Sequence, residues 1–380
     1  MIYYLLLIPT FISAVVLVLR MPRFGKLPKG ARLKAVQESP NYRNGKFENQ
    51  HHTPDLTEGV TLVQVIRKFI FTSSKDRKPP FPLPVVKSNL KTLDPSENLI
   101  VWFGHSSYYM QVDGKKILVD PVLSGHASPF RFSVRSFPGT DLYQAEDIPE
   151  IDWLFLTHDH WDHLDYNTLI KLKPRIRHII TGLGVGAHLE HWGFEPEQII
   201  EKDWNEEIQL GNGFSVRTIP ARHFSGRGFK RAQSIWSSFV LHTPSKKIFI
   251  GGDSGYDAHF KTTGGLYGPF DLAILECGQY NANWKYIHMM PEETALAAAE
   301  LRAARLLPVH WGKFALAMHT WDDSIRRLKI AAEKYPLTLM TPLIGQKVNL
   351  DKPPVFYPWW EKQQFHTNDN GSGESSAGEV

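Results

Sequence analysis

The sequence predicts an α/β fold in which two sheets are covered by helices. Short apolar runs typical of strands recur along the chain, and early ones are joined by turn residues such as Asp113-Gly114, a hairpin signal. Later runs alternate with helical patterns, for example over 291–305. Hairpins and strand–helix units in one chain favour two packed sheets flanked by helices. The predicted strands are 99–103, 108–112, 116–119, 153–156, 178–180, 214–219, 238–242, 247–250, 272–275 and 305–309.

Composition limits the classes of protein to which the chain can belong. Of its 380 residues, 42% are hydrophobic and 22% charged, which is typical of a globular protein with a sizeable core. The formal net charge of +4 is modest, so we do not expect the chain to bind nucleic acid. The single cysteine, Cys277, excludes an intramolecular disulfide and a thiolate metal cluster.

Four regions are predicted along the chain. The uncharged, mostly apolar stretch 1–19 would span about 28 Å as a helix, close to the thickness of a bilayer core. Basic residues follow it, which favours a single-pass membrane anchor with the catalytic domain in the cytoplasm. A cleaved signal peptide and a buried or interfacial helix are the alternatives. A basic, proline-containing connector over 20–90, a catalytic domain over 91–360 and a disordered, Gly- and Ser-rich tail over 361–380 complete the chain.

The densest group of chemically active side chains lies in 157–163, directly after the apolar run 153–156. His158, His160, Asp162 and His163 place three imidazoles and a carboxylate within six residues. Divalent metals such as zinc take imidazole nitrogen and carboxylate oxygen as ligands. The segment, called the metal loop below, is therefore predicted to supply two ligands to one metal and two to its neighbour.

Further ligands are expected at the ends of other strands. His223, Asp253 and His310 each lie just past an apolar run, and strand ends converge on one edge in open α/β folds. We predict that these three residues complete a two-metal site. His105 and Asp120 also follow strands, and Asp120 is suited to orient a ligand imidazole through the second ring nitrogen.

Taken in order, these segments resemble those of metallo-β-lactamase-fold hydrolases, and within them the N-acylphosphatidylethanolamine-hydrolysing phospholipase D family. The similarity covers about residues 80–330. The metal loop is common to the whole superfamily, whereas the blocks around His288 and His310 indicate this subgroup. The blocks that carry the resemblance are 102–106, 118–121, 157–165, 221–223, 252–256, 286–293 and 309–316.

The resemblance implies a metallo-β-lactamase-like αβ/βα four-layer sandwich that holds two Zn²⁺ ions; Mn²⁺ or Fe²⁺ would accept the same ligands. Asp162, Asp253 and His288 are the expected catalytic residues, with His288 contacting the phosphate or the leaving group. Asp159 and His105 are expected beside the ligands, with Asp159 holding a ligand or handling a proton. The implied ligands are His158, His160 and His223 for one metal, Asp162, His163 and His310 for the other, and Asp253 for both.

The activity implied by the resemblance is phospholipase D-type hydrolysis of N-acylphosphatidylethanolamine to N-acylethanolamine and phosphatidic acid. A membrane phospholipid and the lipid bilayer are the expected partners, and a homodimer is left open. A lactonase or carboxylic-ester hydrolase would need the same metal site. A non-catalytic, membrane-tethered binding protein has no reason to keep the full ligand set. The chain departs from the family over 224–228, Phe-Ser-Gly-Arg-Gly, where the family has a more aromatic stretch.

Overall fold

The computed structural model describes residues 2–71 and 76–364. The α-helices of the described residues are α1 (Ile2–Leu19), α2 (Gly30–Glu38), α3 (Leu62–Phe71), α4 (Tyr166–Leu172), α5 (Gly186–His191), α6 (His259–Tyr267), α7 (Pro291–Glu300) and α8 (Asp323–Ala332). The strands are β1 (Tyr42–Arg43), β2 (Lys46–Phe47), β3 (Leu99–Trp102), β4 (Tyr108–Val112), β5 (Lys115–Val119), β6 (Ile151–Leu156), β7 (Ile176–Gly182), β8 (Ile199–Lys202), β9 (Glu207–Gly211), β10 (Phe214–Pro220), β11 (Ser237–His242), β12 (Lys247–Ile250), β13 (Leu272–Glu276), β14 (Arg305–Val309), β15 (Thr338–Leu339) and β16 (Lys347–Asn349).

Two seven-stranded sheets of the same design form the catalytic domain. Their strand orders are β16-β3-β4-β5-β6-β7-β8 and β15-β14-β13-β12-β11-β10-β9. Each sheet has one half of antiparallel neighbours and one half of parallel neighbours; the halves meet at β5 in one sheet and at β12 in the other. The predicted combination of hairpins and strand–helix units is confirmed.

The sheets pack face to face, and helices cover their outer faces. Phe155 of β6 meets Phe239 of β11 with ring centroids 5.2 Å apart, which joins the two sheets. The next residue along β6, Leu156, points the other way and packs with Leu169 of α4 and Leu189 of α5. This alternation follows from the two-residue period of a strand, and it explains why the strand is apolar on both faces.

All ten predicted strands form, whereas the β1–β2 hairpin and the edge strands β8, β9, β15 and β16 were missed. Of these, β8 and β9 lie at the outer edge of their sheets, β8 beside β7 and β9 beside β10. The residues of β8 are half-buried, and those of β9 alternate between exposed and buried. An edge strand that is only partly covered needs few apolar residues, so its sequence lacks the continuous apolar run of a central strand.

The predicted single-pass anchor over 1–19 is not supported. Within the described parts of the chain, no helix combines the length and the apolar character needed to cross a bilayer. The stretch forms α1, whose 18 residues extend about 27 Å, slightly less than a bilayer core of roughly 30 Å. The end of α1 lies against the catalytic domain, where Val15 and Val18 line an apolar pocket with Trp161 and Phe229.

The predicted connector is structured and contacts the catalytic domain. It contains α2, the β1–β2 hairpin and α3. Asn49 hydrogen-bonds to the backbone of His223 in both directions, at 2.8 and 3.1 Å. At the other end of the chain, the 3₁₀ helix Trp359–Gln364 occupies the first four residues of the predicted disordered tail. The rest of that tail, 365–380, lies outside the described residues.

Candidate metal centre

The metal loop begins where β6 ends, at the carboxyl edge of the parallel half of its sheet. Asp120, just after β5, anchors the start of the loop: its carboxylate accepts hydrogen bonds from the Thr157 backbone N–H at 2.9 Å and from the Thr157 hydroxyl at 2.6 Å. Two residues after the loop, Asp165 caps α4 by accepting the Asn167 N–H. The loop is therefore fixed at both ends, as precise placement of several ligands requires.

Residues from the other sheet approach the same place. His223 follows the end of β10 by three residues, Asp253 follows β12 by three, and His310 follows β14 directly. Because the two sheets pack face to face, these ends meet the metal loop at one edge of the sandwich. The structure thus brings together all seven residues that the sequence predicts as metal ligands.

Four of these side chains form a first ligand group: His158, His160, His223 and Asp253. His160 Nδ1 lies 2.9 Å from His158 Nε2 and 3.1 Å from His223 Nε2. Asp253 Oδ2 is 3.8 and 3.7 Å from the same two nitrogens. One atom from each residue lies within 4.8 Å of the others, so the four side chains surround a single point.

A second ligand group consists of His105, Asp162, His163 and His310. Asp162 Oδ2 lies 3.0 Å from His105 Nε2, 3.6 Å from His163 Nε2 and 3.9 Å from His310 Nε2. Asp253 Oδ2 is 3.2 Å from His163 Nε2, so Asp253 contacts both groups. His105 therefore lies among the ligand atoms themselves, closer than the sequence suggested.

The backbone is strained at two members of the second group, His105 and His310, which each lie in a turn after a strand. His105 and His310 have φ values of 54° and 67°, in the left-handed region that non-glycine residues rarely adopt. Their backbones bond to one another, since the His310 N–H donates to the His105 carbonyl at 3.0 Å. Strain of this kind persists where the surroundings determine the conformation, and it is concentrated at functional sites.

Outer hydrogen bonds orient four of the imidazoles. In metal sites the second ring nitrogen is usually held by a carboxylate, a carbonyl or a hydroxyl, which points the first nitrogen at the metal. The same arrangement is present here. The contacts are His163 Nδ1 with Asp120 at 2.8 Å, His223 Nδ1 with the Ile287 carbonyl at 2.8 Å, His310 Nδ1 with Ser106 Oγ at 2.9 Å, and His158 Nδ1 with Thr157 Oγ1 at 3.0 Å.

Two unsatisfied atoms test whether the centre fits a metal ion. His163 Nε2 and Asp253 Oδ1 are buried and form no well-aligned hydrogen bond among the described residues, although they lie 3.2 Å from Asp253 Oδ2 and 3.1 Å from His310 Nδ1, respectively. Buried polar atoms are rarely left unpaired, and each such atom is expected to have a partner. A cation between the two ligand groups would satisfy both. The residues therefore fit a divalent metal bound by nitrogen and oxygen, a set that suits zinc, manganese or iron.

Burial keeps most of the ligand imidazoles neutral, the form that binds metal. It lowers the pKa of His158, His223 and His310 well below the usual value for histidine. It also lowers the pKa of the partly exposed His160, to about 4. These rings can therefore accept a cation near neutral pH without first losing a proton.

The carboxylates near His163 create the opposite situation. Burial by itself lowers the pKa of His163, but the charges of Asp253, Asp162 and Asp120 raise it well above the usual value. Burial raises the pKa of Asp253 to about 6. The protonated His163 imidazole thus balances buried negative charge, and a metal cation would take over that balance when the proton leaves.

Asp159 lies on the far side of the metal loop and contacts none of the ligand imidazoles. Its carboxylate is 3.1 Å from His188 Nε2 and accepts hydrogen bonds from the Ser234 hydroxyl and the Gly226 N–H. The side chain of Arg227 donates to the Asp159 carbonyl at 2.8 Å. The stretch 224–228, which departs from the family pattern, therefore supports the loop from behind.

His288 lies beside both ligand groups and makes a contact that the sequence did not predict. Its Nδ1 is 2.6 Å from Glu276 Oε2, and its ring centroid is 5.0 Å from that of His223 and 5.2 Å from that of His310. Glu276 is completely buried at the end of β13. An acidic residue closing an apolar strand is the same signal that identified Asp253, so it could have been found in the sequence.

A cavity of about 510 Å³ opens above the ligands. His160, Asp162 and His288 form part of its floor. The remaining wall is mainly apolar, and it reaches α3 at the rim. The apolar lining residues are Leu56, Leu62, Phe224, Trp284, Ile287 and Leu316. A substrate with both an anionic and an apolar part would match this lining.

Comparisons with known proteins agree with the geometry. A family profile described as a beta-lactamase superfamily domain matches residues 115–311. An uncharacterised protein of Mycobacterium tuberculosis is 37% identical over 335 residues, which cover 87% of this chain and 90% of that protein. N-acyl-phosphatidylethanolamine-hydrolyzing phospholipase D 1 of Caenorhabditis elegans is 27% identical over 326 residues, 77% of this chain and 88% of that enzyme.

Among solved structures, the fold is similar to that of Igni18, a metallo hydrolase from the archaeon Ignicoccus hospitalis. The TM-score is 0.50 at 21% identity, and the match covers 66% of this chain and 97% of Igni18. At this identity the likeness supports the fold alone.

Proposed function

The chain belongs to the beta-lactamase superfamily of metal-dependent hydrolases, and we propose that it is a phospholipase D-type phosphodiesterase. The proposed reaction releases N-acylethanolamine and phosphatidic acid from N-acylphosphatidylethanolamine. The observation that carries the proposal is the cavity, in which the two ligand groups adjoin an apolar wall. The similarity to the Caenorhabditis elegans phospholipase supports the same substrate class.

Two divalent ions, Zn²⁺ by default, would occupy the two ligand groups. His158, His160 and His223 would hold one ion, and Asp253 would reach both. The second ion would be held by Asp162, His163 and His310, with His105 beside them in the same group. When bound, such ions supply an activated water and offset the negative charge that develops on a phosphate.

The side chains of the chain itself would orient the substrate. The apolar wall would take the acyl chain next to the scissile group, and His288, on the cavity floor, would face the phosphodiester. Closing the cavity around an apolar chain also removes water from the ligands, which strengthens their interaction with the phosphate.

We further propose that α3 contacts the bilayer surface. Leu62 of α3 lines the cavity, and Val63, Ile66 and Phe71 expose apolar side chains beside the basic Arg67 and Lys68. A helix with an apolar face and basic residues is typical of one that lies in the membrane interface and is attracted to anionic lipid. This contact would hold the cavity over its substrate. Two expectations stay predictions: that the chain is attached to a membrane with its catalytic domain in the cytoplasm, and that it forms a homodimer.

The test is an assay of the purified full chain with N-acylphosphatidylethanolamine in vesicles, with metal content measured on the same sample. Mass spectrometry should detect N-acylethanolamine and phosphatidic acid, both lost after chelation and restored by added zinc. Bound metal without these products would contradict the phospholipase. Hydrolysis of a lactone or a carboxylic ester in the same sample would then identify the alternative activity.

A further inference from the structure

We propose that Glu276 is a positioning residue, which holds the His288 imidazole so that its Nε2 meets the leaving oxygen of the phosphodiester. The role rests on the proposed phosphodiesterase function. Glu276 closes a strand and lies near Asp253, His288 and His310, but neither observation by itself assigns a task to it. Its place is nonetheless defined, because it is completely buried and directly contacts a residue on the cavity floor.

Both carboxylate oxygens of Glu276 have partners. Oε1 accepts the backbone N–H groups of Met289 at 2.9 Å and Ser254 at 3.3 Å, and Oε2 lies 2.6 Å from His288 Nδ1. A buried carboxylate is costly unless it is hydrogen-bonded in this way. The two backbone bonds prevent the carboxylate from turning, so Oε2 is a fixed point for the imidazole. Glu276 also lies with Asp253, His288 and His310 in a group whose ligand atoms are within 4.8 Å of one another, so metal content is measured in each Glu276 variant.

The ring of His288 is held through Nδ1 and packs against two ligand imidazoles. Nδ1 contacts Glu276, and the ring centroids of His223 and His310 are 5.0 and 5.2 Å away. The His288 side chain is 12% exposed, whereas those of His223 and His310 are 1% exposed. Of these three imidazoles, His288 is therefore the one that a substrate in the cavity can reach.

The chemistry of the leaving group explains why such a residue is useful. In the proposed hydrolysis, the oxygen of water forms a new bond to phosphorus and the bond to the N-acylethanolamine oxygen breaks. The leaving oxygen keeps the electron pair and takes the proton from His288 Nε2, and a proton from the attacking water restores the imidazole. Proton donation by a positioned side chain contributes about 10²–10⁴-fold to such reactions. A carboxylate at Nδ1 fixes the orientation of the ring and thereby the position of Nε2.

The main test is Glu276→Gln. The glutamine keeps an oxygen for the two backbone N–H groups, but it turns an amide NH₂ towards His288, so Nδ1 can no longer donate. We expect kcat for N-acylphosphatidylethanolamine to fall about 10- to 100-fold, with KM changed less than about threefold. Cleavage of bis(p-nitrophenyl) phosphate should fall less than about threefold, since p-nitrophenolate leaves without a proton. Metal content should stay at the wild-type level.

Three further variants separate positioning from a general structural effect. His288→Gln cannot pass on a proton, and it should show the same preference for the p-nitrophenyl substrate even if Glu276→Gln fails to fold. Adding Glu276→Gln to His288→Ala should change kcat less than about twofold, because the two residues act as one unit. Glu293→Gln is the matched control: this half-buried carboxylate caps α7 through the Met290 N–H, and the substitution should leave the ratio of the two rates unchanged.

Several results would overturn the role. An equal loss on both substrates in both variants, an additive effect in the His288→Ala background, or a loss of metal in Glu276→Gln would each contradict positioning. The wild-type protein reports separately on the proposed function. If it cleaves neither phosphodiester, the phospholipase is excluded and the role of Glu276 with it; if it cleaves both, the variants alone decide.

Discussion

The two ligand groups have the same composition, three imidazoles and one carboxylate, but they are held in different ways. In the second group, the carboxylate of Asp120 holds His163. In the first group, the corresponding supports are neutral: the Thr157 hydroxyl holds His158 and the Ile287 carbonyl holds His223. The first group also includes His160, which is partly exposed to the cavity, whereas all members of the second group are buried. The first group is therefore the more accessible one, and the second is held by stronger electrostatics.

The groups also depend on different parts of the chain. The second group is held within the catalytic domain, where the backbones of His105 and His310 bond to one another. The first group depends on the segment before the domain, since Asn49 holds the backbone of His223. A change outside the catalytic domain can thus reach one group and spare the other.

The largest effect should come from Asp253→Asn, which removes a carboxylate that contacts both groups. We expect kcat/KM to fall at least about 1,000-fold, roughly 4 kcal/mol of transition-state stabilisation, and metal content to fall below that of either single-group variant. Asp257→Asn, four residues along the chain and paired with His51, should keep wild-type activity and metal. Near-normal turnover of Asp253→Asn would exclude it as a shared ligand.

Asp120→Asn should weaken the second group more than the first, because Asp120 contacts His163 directly and reaches His158 only through the Thr157 hydroxyl. Loss of the carboxylate behind His163 is expected to reduce metal affinity and activity about 10- to 100-fold. Metal analysis during stepwise chelation should show one ion leaving at lower chelator concentration than in the wild type, while the other changes less. Parallel weakening of both ions would contradict the separation of the two groups.

Asn49→Ala should weaken the first group in the same assay, by about tenfold, because the His223 backbone loses two hydrogen bonds. Asn167→Ala, at the first turn of α4 and away from His223, is the control and should have wild-type metal affinity. The order in which ions leave should be the reverse of that in Asp120→Asn. If Asn49→Ala instead weakened binding of the second ion, the segment before the catalytic domain would not act through His223.

The smallest change is expected for Ser106→Ala, which removes the hydroxyl 2.9 Å from His310 Nδ1. A single hydrogen bond of this kind contributes about 1 kcal/mol, so affinity for the ion of the second group should fall about fivefold. Metal titration would measure it. A loss of metal affinity as large as that of Asp120→Asn would show that neutral and charged supports stabilise the bound ion equally, which would contradict the proposed difference between them.

Much of the candidate site could be predicted from the sequence because its signals are local. His158, His160, Asp162 and His163 are dense in one loop, and His223, Asp253 and His310 each follow an apolar run. Such runs indicate buried strands, and the carboxyl ends of strands in these folds form one edge. The two-sheet architecture could be predicted for the same reason, from the order of hairpins and strand–helix units.

The parts that could not be predicted depend on pairs that are distant in sequence. Asn49 reaches His223 across 174 residues, and Ser106 reaches His310 across 204. Neither side chain has a distinctive local pattern. The predicted anchor over 1–19 stays unsupported, since no helix of the described residues is long and apolar enough to cross a membrane.

The sequence by itself therefore determined the fold class, the metal loop and the strand-end residues that gather around it, because hydrophobic periodicity and ligand spacing act within a few residues. Only the tertiary structure decided which support stands behind each imidazole, that Glu276 contacts His288, and that Asp159 points away from the ligands. These contacts arise when the two sheets pack, which sets the distances between side chains that no local spacing defines.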